Sequence, residues 1–251
     1  MKHRLSVIMV TRNADELLFQ SIKSVKDIAD EIVVVDAGST DRTLSILKSF
    51  NINPIATRLN HLGKNKSKAL SRATGDLVLA LDSDEIVSPS LIRTIKSLKR
   101  RKILADGYII PFRNHFLGRR LRYGGENYRM LRLAKRRKVN IKNVSVHESL
   151  VLNSKHFVNL GSPIMHYSYR TLHQMYGKFT TYALNEATER YKKGEQSSFK
   201  KVTFYPVHMF WARLIQDKGY KDGFFRLPLD LGFAYMEFLT YSSLAIKNLK
   251  K

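Results

Sequence analysis

The feature that most constrains this chain is an alternation in its first hundred residues. Two continuous apolar runs, LSVIMV at 5–10 and EIVVVD at 31–36, flank a segment in which Leu17, Leu18, Ile22 and Val25 recur at helical spacing. A strand that is apolar at successive positions is covered on both faces. The pattern continues with a helix at 44–50, a short strand at 52–56, a helix at 66–73, a strand at 76–81 and a helix at 88–100 that Ser88-Pro89 opens. Strands alternating with helices predict an α/β fold with a mainly parallel sheet and right-handed crossovers. Ligands of such sheets bind at the carboxyl ends of the strands.

That rule selects candidate residues without any motif. The polar groups closing the four strands are Thr11-Arg12-Asn13, Asp36, residues 58–61, and Asp82-Ser83-Asp84. The last follows LVLAL directly, so a buried strand ends in a carboxylate pair. Asp82 and Asp84 at i and i+2 can approach one divalent ion, and Mg²⁺ or Mn²⁺ takes oxygen ligands shared with substrate phosphates. The alternative is an acidic cluster offsetting the dipole of the helix at 88–100. Asp36 before Gly38 suits a base or ribose contact, or equally an Asx turn. Lys64, Lys66 and Lys68 open a helix where cations are unfavourable unless an anion such as a diphosphate sits among them, the alternative being a solvated basic face. Neither G-x-G-x-x-G nor G-x-x-x-x-G-K-[ST] is present, which excludes a dinucleotide dehydrogenase and a P-loop enzyme.

Composition narrows the partners. The absence of cysteine excludes disulfides, thiolate metal sites and cysteine nucleophiles. Net charge is +23, and residues 100–142 hold fourteen Lys and Arg against Asp106 and Glu126. Such an excess attracts polyanions, and its adjacency in sequence to Asp82-Ser83-Asp84 places the positive charge near the candidate site. Only six apolar residues precede Thr11, which predicts a cytoplasmic protein without a signal peptide.

Beyond residue 100, strands are expected at 107–112 and 126–133, and helices at 172–193, 205–215 and 227–249. The expected organisation is a catalytic domain at 1–170, with a nucleotide-binding half at 1–100 and an acceptor half at 101–170, followed by a helical extension at 171–251. The last helix is strongly apolar but interrupted by Asp230 and Glu237, so it should not span a membrane. Arg226, Lys247, Lys250 and Lys251 at its ends suit anionic headgroups, and packing on the catalytic domain is the competing expectation.

Taken together, SVIMVTRN, EIVVVDAGSTDRT and ATGDLVLALDSDE resemble the inverting glycosyltransferases of family 2, which have the GT-A (Rossmann-like) fold. The later blocks RNHFLGRRLRYGG, VHE and HYSYR resemble the bacterial lipopolysaccharide core glucosyltransferases of that family. The resemblance implies metal-dependent transfer of a hexose, glucose first, from a UDP-sugar to an inner-core heptose. Thr11, Asn13 and Asp36 would contact the uridine, Lys66 the pyrophosphate, and Asp82, Ser83 and Asp84 the nucleotide-sugar, with Asp82, Asp84 and His166 around Mg²⁺ or Mn²⁺. Arg119, Arg122 and His147 would meet the acceptor. The subgroup carries its base as an Asp shortly after Gly-Gly, where this chain has Gly124-Gly125-Glu126, so Glu126 is the expected base and Glu148 the second candidate. Ser67 stands where the family usually has Asn. A lipid-linked acceptor further implies peripheral attachment to the cytoplasmic face of the inner membrane.

Three other readings compete. Transfer to another cell-envelope glycan or glycolipid uses the same donor chemistry. A nucleic-acid-binding protein fits the charge, but three clustered acids repel phosphate, so no nucleic-acid partner is expected. A nucleotidylyltransferase needs a Gly-rich loop after the first strand, and TRNADE is unlike one.

Overall fold

The computed structural model describes residues 3–59, 61–142 and 149–249. These form two compact units, one of residues 1–112 with 128–166 and one of residues 113–127 with 167–251.

The first unit is built on strands β1 (Leu5–Thr11), β2 (Glu31–Asp36), β3 (Ile55–Ala56) and β4 (Leu77–Ala80), with helices α1 (Asp15–Val25), α2 (Thr43–Ser49) and α3 (Leu62–Arg72) between them. Their order is β3-β2-β1-β4 and every pairing among them is parallel. Val7, Ile8, Met9, Val34, Val35 and residues 77–79 are at most 1% exposed, as continuous apolar strands require. After β5 (Glu85–Val87) and α4 (Pro89–Arg100), the chain enters β6 (Gly107–Phe116), β7 (Arg119–Arg120) and β8 (Arg129–Lys135). β8 lies antiparallel between β4 and β6, in register Leu77↔Lys135 and Leu79↔Leu133. β9 (Val139–Ile141) and β10 (Leu150–Leu152) form an antiparallel pair, β11 (Phe157–Asn159) runs parallel to β6, and β12 (Ile164–Tyr169) pairs antiparallel with β5. The fold is the expected α/β architecture, a mostly parallel sheet flanked by helices and followed by a helical extension.

Several boundaries differ from expectation. α3 starts at Leu62, four residues before the expected start at Lys66, because His61 Nδ1 accepts the Lys64 amide as an N-cap. β3 keeps only two residues, since Pro54 has no amide to pair. β6 runs on to Phe116 and β8 begins only at Arg129.

The second unit holds α5 (Leu172–Lys192), α6 (Phe199–Trp211) and α7 (Leu227–Leu249), with α7 packed on both others. Ser198 Oγ caps α6, whose start at Phe199 lies six residues before the expected one, and the helix passes through Pro206 before a π-helical turn at Ala212–Gln216. Phe116, Leu121, Met175, Phe179 and Leu229 make its core. Arg226, expected at a lipid surface, is instead fully buried and pairs with Asp230 one turn on, at 2.9 Å. Asp230, which looked like an interruption of an apolar helix, is the counterion that lets this arginine be buried.

Candidate active site

Two loops at the carboxyl edge of the first unit are interlocked by side chains. Thr11 and Asp36 are register partners at the ends of β1 and β2. Both are buried, and Thr11 Oγ1 donates to Asp36 Oδ2 at 2.9 Å. Asp36 Oδ1 accepts the amides of Gly38 and Ser39, and Oδ2 also accepts Ser39 Oγ at 2.5 Å. The carboxylate therefore builds the turn after β2, and Gly38 at φ 84° supplies the left-handed residue that turn needs. Asn13, itself left-handed at φ 48°, accepts the Thr40 amide through Oδ1 at 2.8 Å, and its own amide donates to Ser39 Oγ. Thr11, Asn13 and Asp36 thus form one rigid rim.

Next to it, at the end of β4, Asp82 is held by two cations. Lys66 Nζ lies 2.6 Å from Oδ1 and Arg132 Nη2 2.9 Å from Oδ2. The same Arg132 nitrogen lies 2.6 Å from Glu85 Oε1, and Glu85 Oε2 accepts the Asp82 amide at 2.8 Å. Lys66 is 2% exposed and Glu85 fully buried. Burial works to raise the Asp82 carboxyl, but Lys66 and Arg132 outweigh it and hold the group well below the ordinary carboxylate range. Burial pushes Glu85 up, to about 8, against the pull of Arg132 and with the charge on Asp82 adding to the rise. Burial thus sets Glu85 above the ordinary carboxylate range, and the two cations set Asp82 below it.

Ser83 and Asp84 follow in a half-buried turn. Asp84 Oδ1 stands 3.6 Å from His166 Nε2, while His166 Nδ1 meets the Tyr128 hydroxyl at 3.3 Å. Phe112 stacks on Tyr128 and meets His166 edge-on, fixing the imidazole plane. Of the three residues expected around a metal, Asp84 and His166 lie together and both oxygens of Asp82 face side-chain cations. No group of three or more His, Cys, Asp or Glu suited to a metal exists among the described residues. Asp84 and His166 nevertheless fit a divalent ion that draws the rest of its shell from phosphate oxygens and water, the usual manner for Mg²⁺, and Tyr128 supplies the orienting contact to the second imidazole nitrogen.

Arg132 and Glu85 were not singled out in the sequence. Their signal was an arginine inside the apolar strand MLRLA and a third acid after the carboxylate pair, and only the antiparallel placement of β8 beside β4 joins them.

In the second unit, Glu126 is bonded to Arg213 Nη2, with Arg226 Nη2 at 3.9 Å. Arg226 also donates to the carbonyls of Tyr123 and Gly124 and pairs with Asp222 and Asp230. Gly124, at φ 66°, lets that guanidinium approach: a Cβ there would lie 1.9 Å from its Nη2. Two arginines face three acids, Glu126, Asp222 and Asp230. Burial raises the Glu126 carboxyl, and the two arginines only partly offset it. Arg119 lies over the Phe225 ring at 5.3 Å, and the Arg122 amide donates to Asp222. Burial together with the charges of Arg113 and Arg122 lowers the pKa of Arg120, the mark of a crowded cationic group. His147 and Glu148 lie outside the described residues.

Half of the basic window expected at this site is elsewhere. Residues 100–102 and 135–138 lie at the opposite, amino-terminal edge of the sheet, because β8 runs antiparallel and returns its end to the level of Leu77.

The family described as Glycosyl transferase family 2 matches residues 6–159. An uncharacterised glycosyltransferase of Rickettsia bellii (strain RML369-C) is 27% identical over 253 residues, covering 96% of this chain and 86% of that protein. The poly(ribitol-phosphate) beta-N-acetylglucosaminyltransferase TarS of Staphylococcus aureus (strain Mu50 / ATCC 700699) is 30% identical over 101 residues, 36% of this chain and 18% of that protein. The crystal structure of S. aureus TarS 1-349 in complex with UDP-GlcNAc superposes with a TM-score of 0.51 at 12% identity, covering 98% of this chain and 92% of that one.

Proposed function

From the premise that this chain belongs to glycosyl transferase family 2, we propose that it transfers a hexose, glucose first, with inversion from a UDP-sugar to the phosphorylated inner-core heptose of lipopolysaccharide. The observation that carries the donor reading is the cluster after β4: a carboxylate fixed between Lys66 and Arg132, followed two residues later by Asp84 against His166. The fold neighbour TarS, in complex with UDP-GlcNAc, supports a uridine donor.

In this reading the rim of Thr11, Asn13 and Asp36 takes the uridine. Asp84 and His166 hold Mg²⁺ or Mn²⁺, whose charge offsets that of the diphosphate. Lys66 and Arg132 add positive charge beside it, and because each is already held by Asp82 neither reorganises as UDP leaves. Glu126 takes the acceptor proton, its buried carboxyl raised toward the working pH. Arg119, Arg120 and Arg122 meet the acceptor phosphates. The name of the relative TarS favours one second reading, a phosphate-bearing envelope polymer as acceptor.

Among the described residues no helix is long and apolar enough to cross a membrane. We propose peripheral attachment through α6 and the outer face of α7. Phe199, Phe204, Val207, Trp211 and Ile215 stand 46–81% exposed along α6 and its continuation, and Leu231, Phe238 and Ile246 about half exposed on α7. The enzyme would thereby reach a lipid-linked acceptor by diffusion along the surface.

The test is transfer by the whole chain from UDP-glucose, UDP-galactose and UDP-GlcNAc, with Mn²⁺ or with EDTA, to heptose-terminated core and to a ribitol-phosphate polymer. Failure of every UDP-sugar to be hydrolysed, transferred or to stabilise the fold would falsify the donor reading. Transfer to the polymer alone would move the acceptor.

A further inference from the structure

A cavity of about 780 Å³ opens at the amino-terminal edge of the first unit, lined by residues 100–102 after α4 and residues 135–138 after β8, with His3 and residues 74–76 beneath. Its size is that of a small-molecule site. Six residues of extended chain separate Asp76 from Asp82, which puts it roughly 20 Å from the carboxylate pair. Seven lining cations face one lining acid, Asp76. Lys135 is paired with Asp106 and Lys138 acts on that same acid. Arg136 donates to the Gly75 carbonyl. Arg100, Arg101, Lys102 and Arg137 have no acidic partner among the described residues and are exposed at the cavity mouth. Arg100 and Arg101 are shared with a second basic hollow of about 360 Å³ that adds Arg93 and Lys96.

A helix C-terminus favours cations, which accounts for Arg100 by itself. It does not account for a second run of four cations brought from a strand end more than thirty residues away to face the first. Like charges gathered in a concave site focus a positive potential. Guanidinium forks on both sides match the oxygens of phosphate.

We propose that this cavity binds a phosphate- or pyrophosphate-bearing group, at a site separate from the donor site. That chemistry has two sources, a soluble phosphorylated compound or the headgroup of an anionic lipid.

The experiment uses the whole chain with UDP and Mn²⁺ saturating the donor site. Inorganic pyrophosphate is titrated by calorimetry, and phosphatidylcholine vesicles with and without phosphatidic acid are tested by flotation. The variant is Arg101→Glu with Arg137→Glu, two exposed positions, and the charge-matched control is Lys23→Glu with Lys48→Glu on exposed faces of α1 and α2. The cavity variant should lose at least about tenfold in affinity, while the control and the UDP affinity stay unchanged. Loss confined to pyrophosphate identifies a soluble ligand, and loss of phosphatidic acid-dependent flotation identifies a headgroup. Equal loss in the control, or binding of both probes undiminished in the cavity variant, overturns the proposal.

Discussion

Lys66 Nζ lies 2.6 Å from Asp82 Oδ1, and the lysine is almost completely buried. A buried ammonium is tolerated only with a counterion, so the helix α3 and the end of β4 depend on each other. Lys66→Met should cost about 1.5–3 kcal/mol, the worth of a hydrogen bond between charged groups. Arg132 stays as a second counterion, so the loss falls short of the roughly 3–5 kcal/mol of a buried charge left alone. Urea denaturation measures it, and an unchanged midpoint would remove the pair from the account of stability.

Asp84→Ala and His166→Ala should each abolish transfer and weaken the Mn²⁺ dependence of UDP binding, with melting temperatures near that of the parent. The two side chains face each other at 3.6 Å, and each alone leaves a single protein ligand. Full activity of Asp84→Ala would end the metal assignment.

Glu126→Gln should lower kcat by about 10²–10⁴, the range of general-base catalysis, with UDP affinity retained. Glutamine keeps a hydrogen bond to Arg213, so the fold should survive. A base must be ionised, and burial lifts this carboxyl above its ordinary value near 4.5. Activity is therefore lost on acidification at a pH above the usual glutamate range. If Glu148→Gln instead shows the kcat loss and Glu126→Gln does not, the base is Glu148.

Glu85 gives a pH effect of opposite sign. Its carboxyl is pushed up to about 8 in the folded chain, from 4.5 as its ordinary value. The folded state then holds a proton that the unfolded state has released between those values. That contribution to stability is complete below about 4.5 and lost as pH rises through about 8. Glu85→Gln should flatten the decline, as read from unfolding free energies across that window. An unaltered slope would show that Glu85 is ionised in the folded protein.

Trp211→Asp together with Phe204→Asp should reduce flotation with anionic vesicles at low salt without altering turnover of a soluble acceptor. Both lie exposed beside a cavity of about 650 Å³ on α6. Flotation equal to that of the parent would leave α6 as a bare solvent face.

The sequence by itself determined the order of strands and helices in the first hundred residues, because runs such as LSVIMV and EIVVVD can be satisfied only between two covering layers. It also determined that Thr11, Asp36, Asp82 and Asp84 share one edge, since parallel strands all end on the same side. The reach of a side chain across the sheet was not legible. Arg132 joins Asp82 and Glu85 only because β8 turns back antiparallel beside β4, and the same reversal carries residues 135–138 to the far edge. Arg226 and Asp230 gave a similar lesson. In one dimension they were a surface cation and an awkward acid, and in the folded helix they lie one turn apart, fully buried, beneath the turn at Gly124. Periodicity encodes which face of an element is covered, whereas the partner of a charge is set by strand direction and helix packing, which are properties of the whole chain.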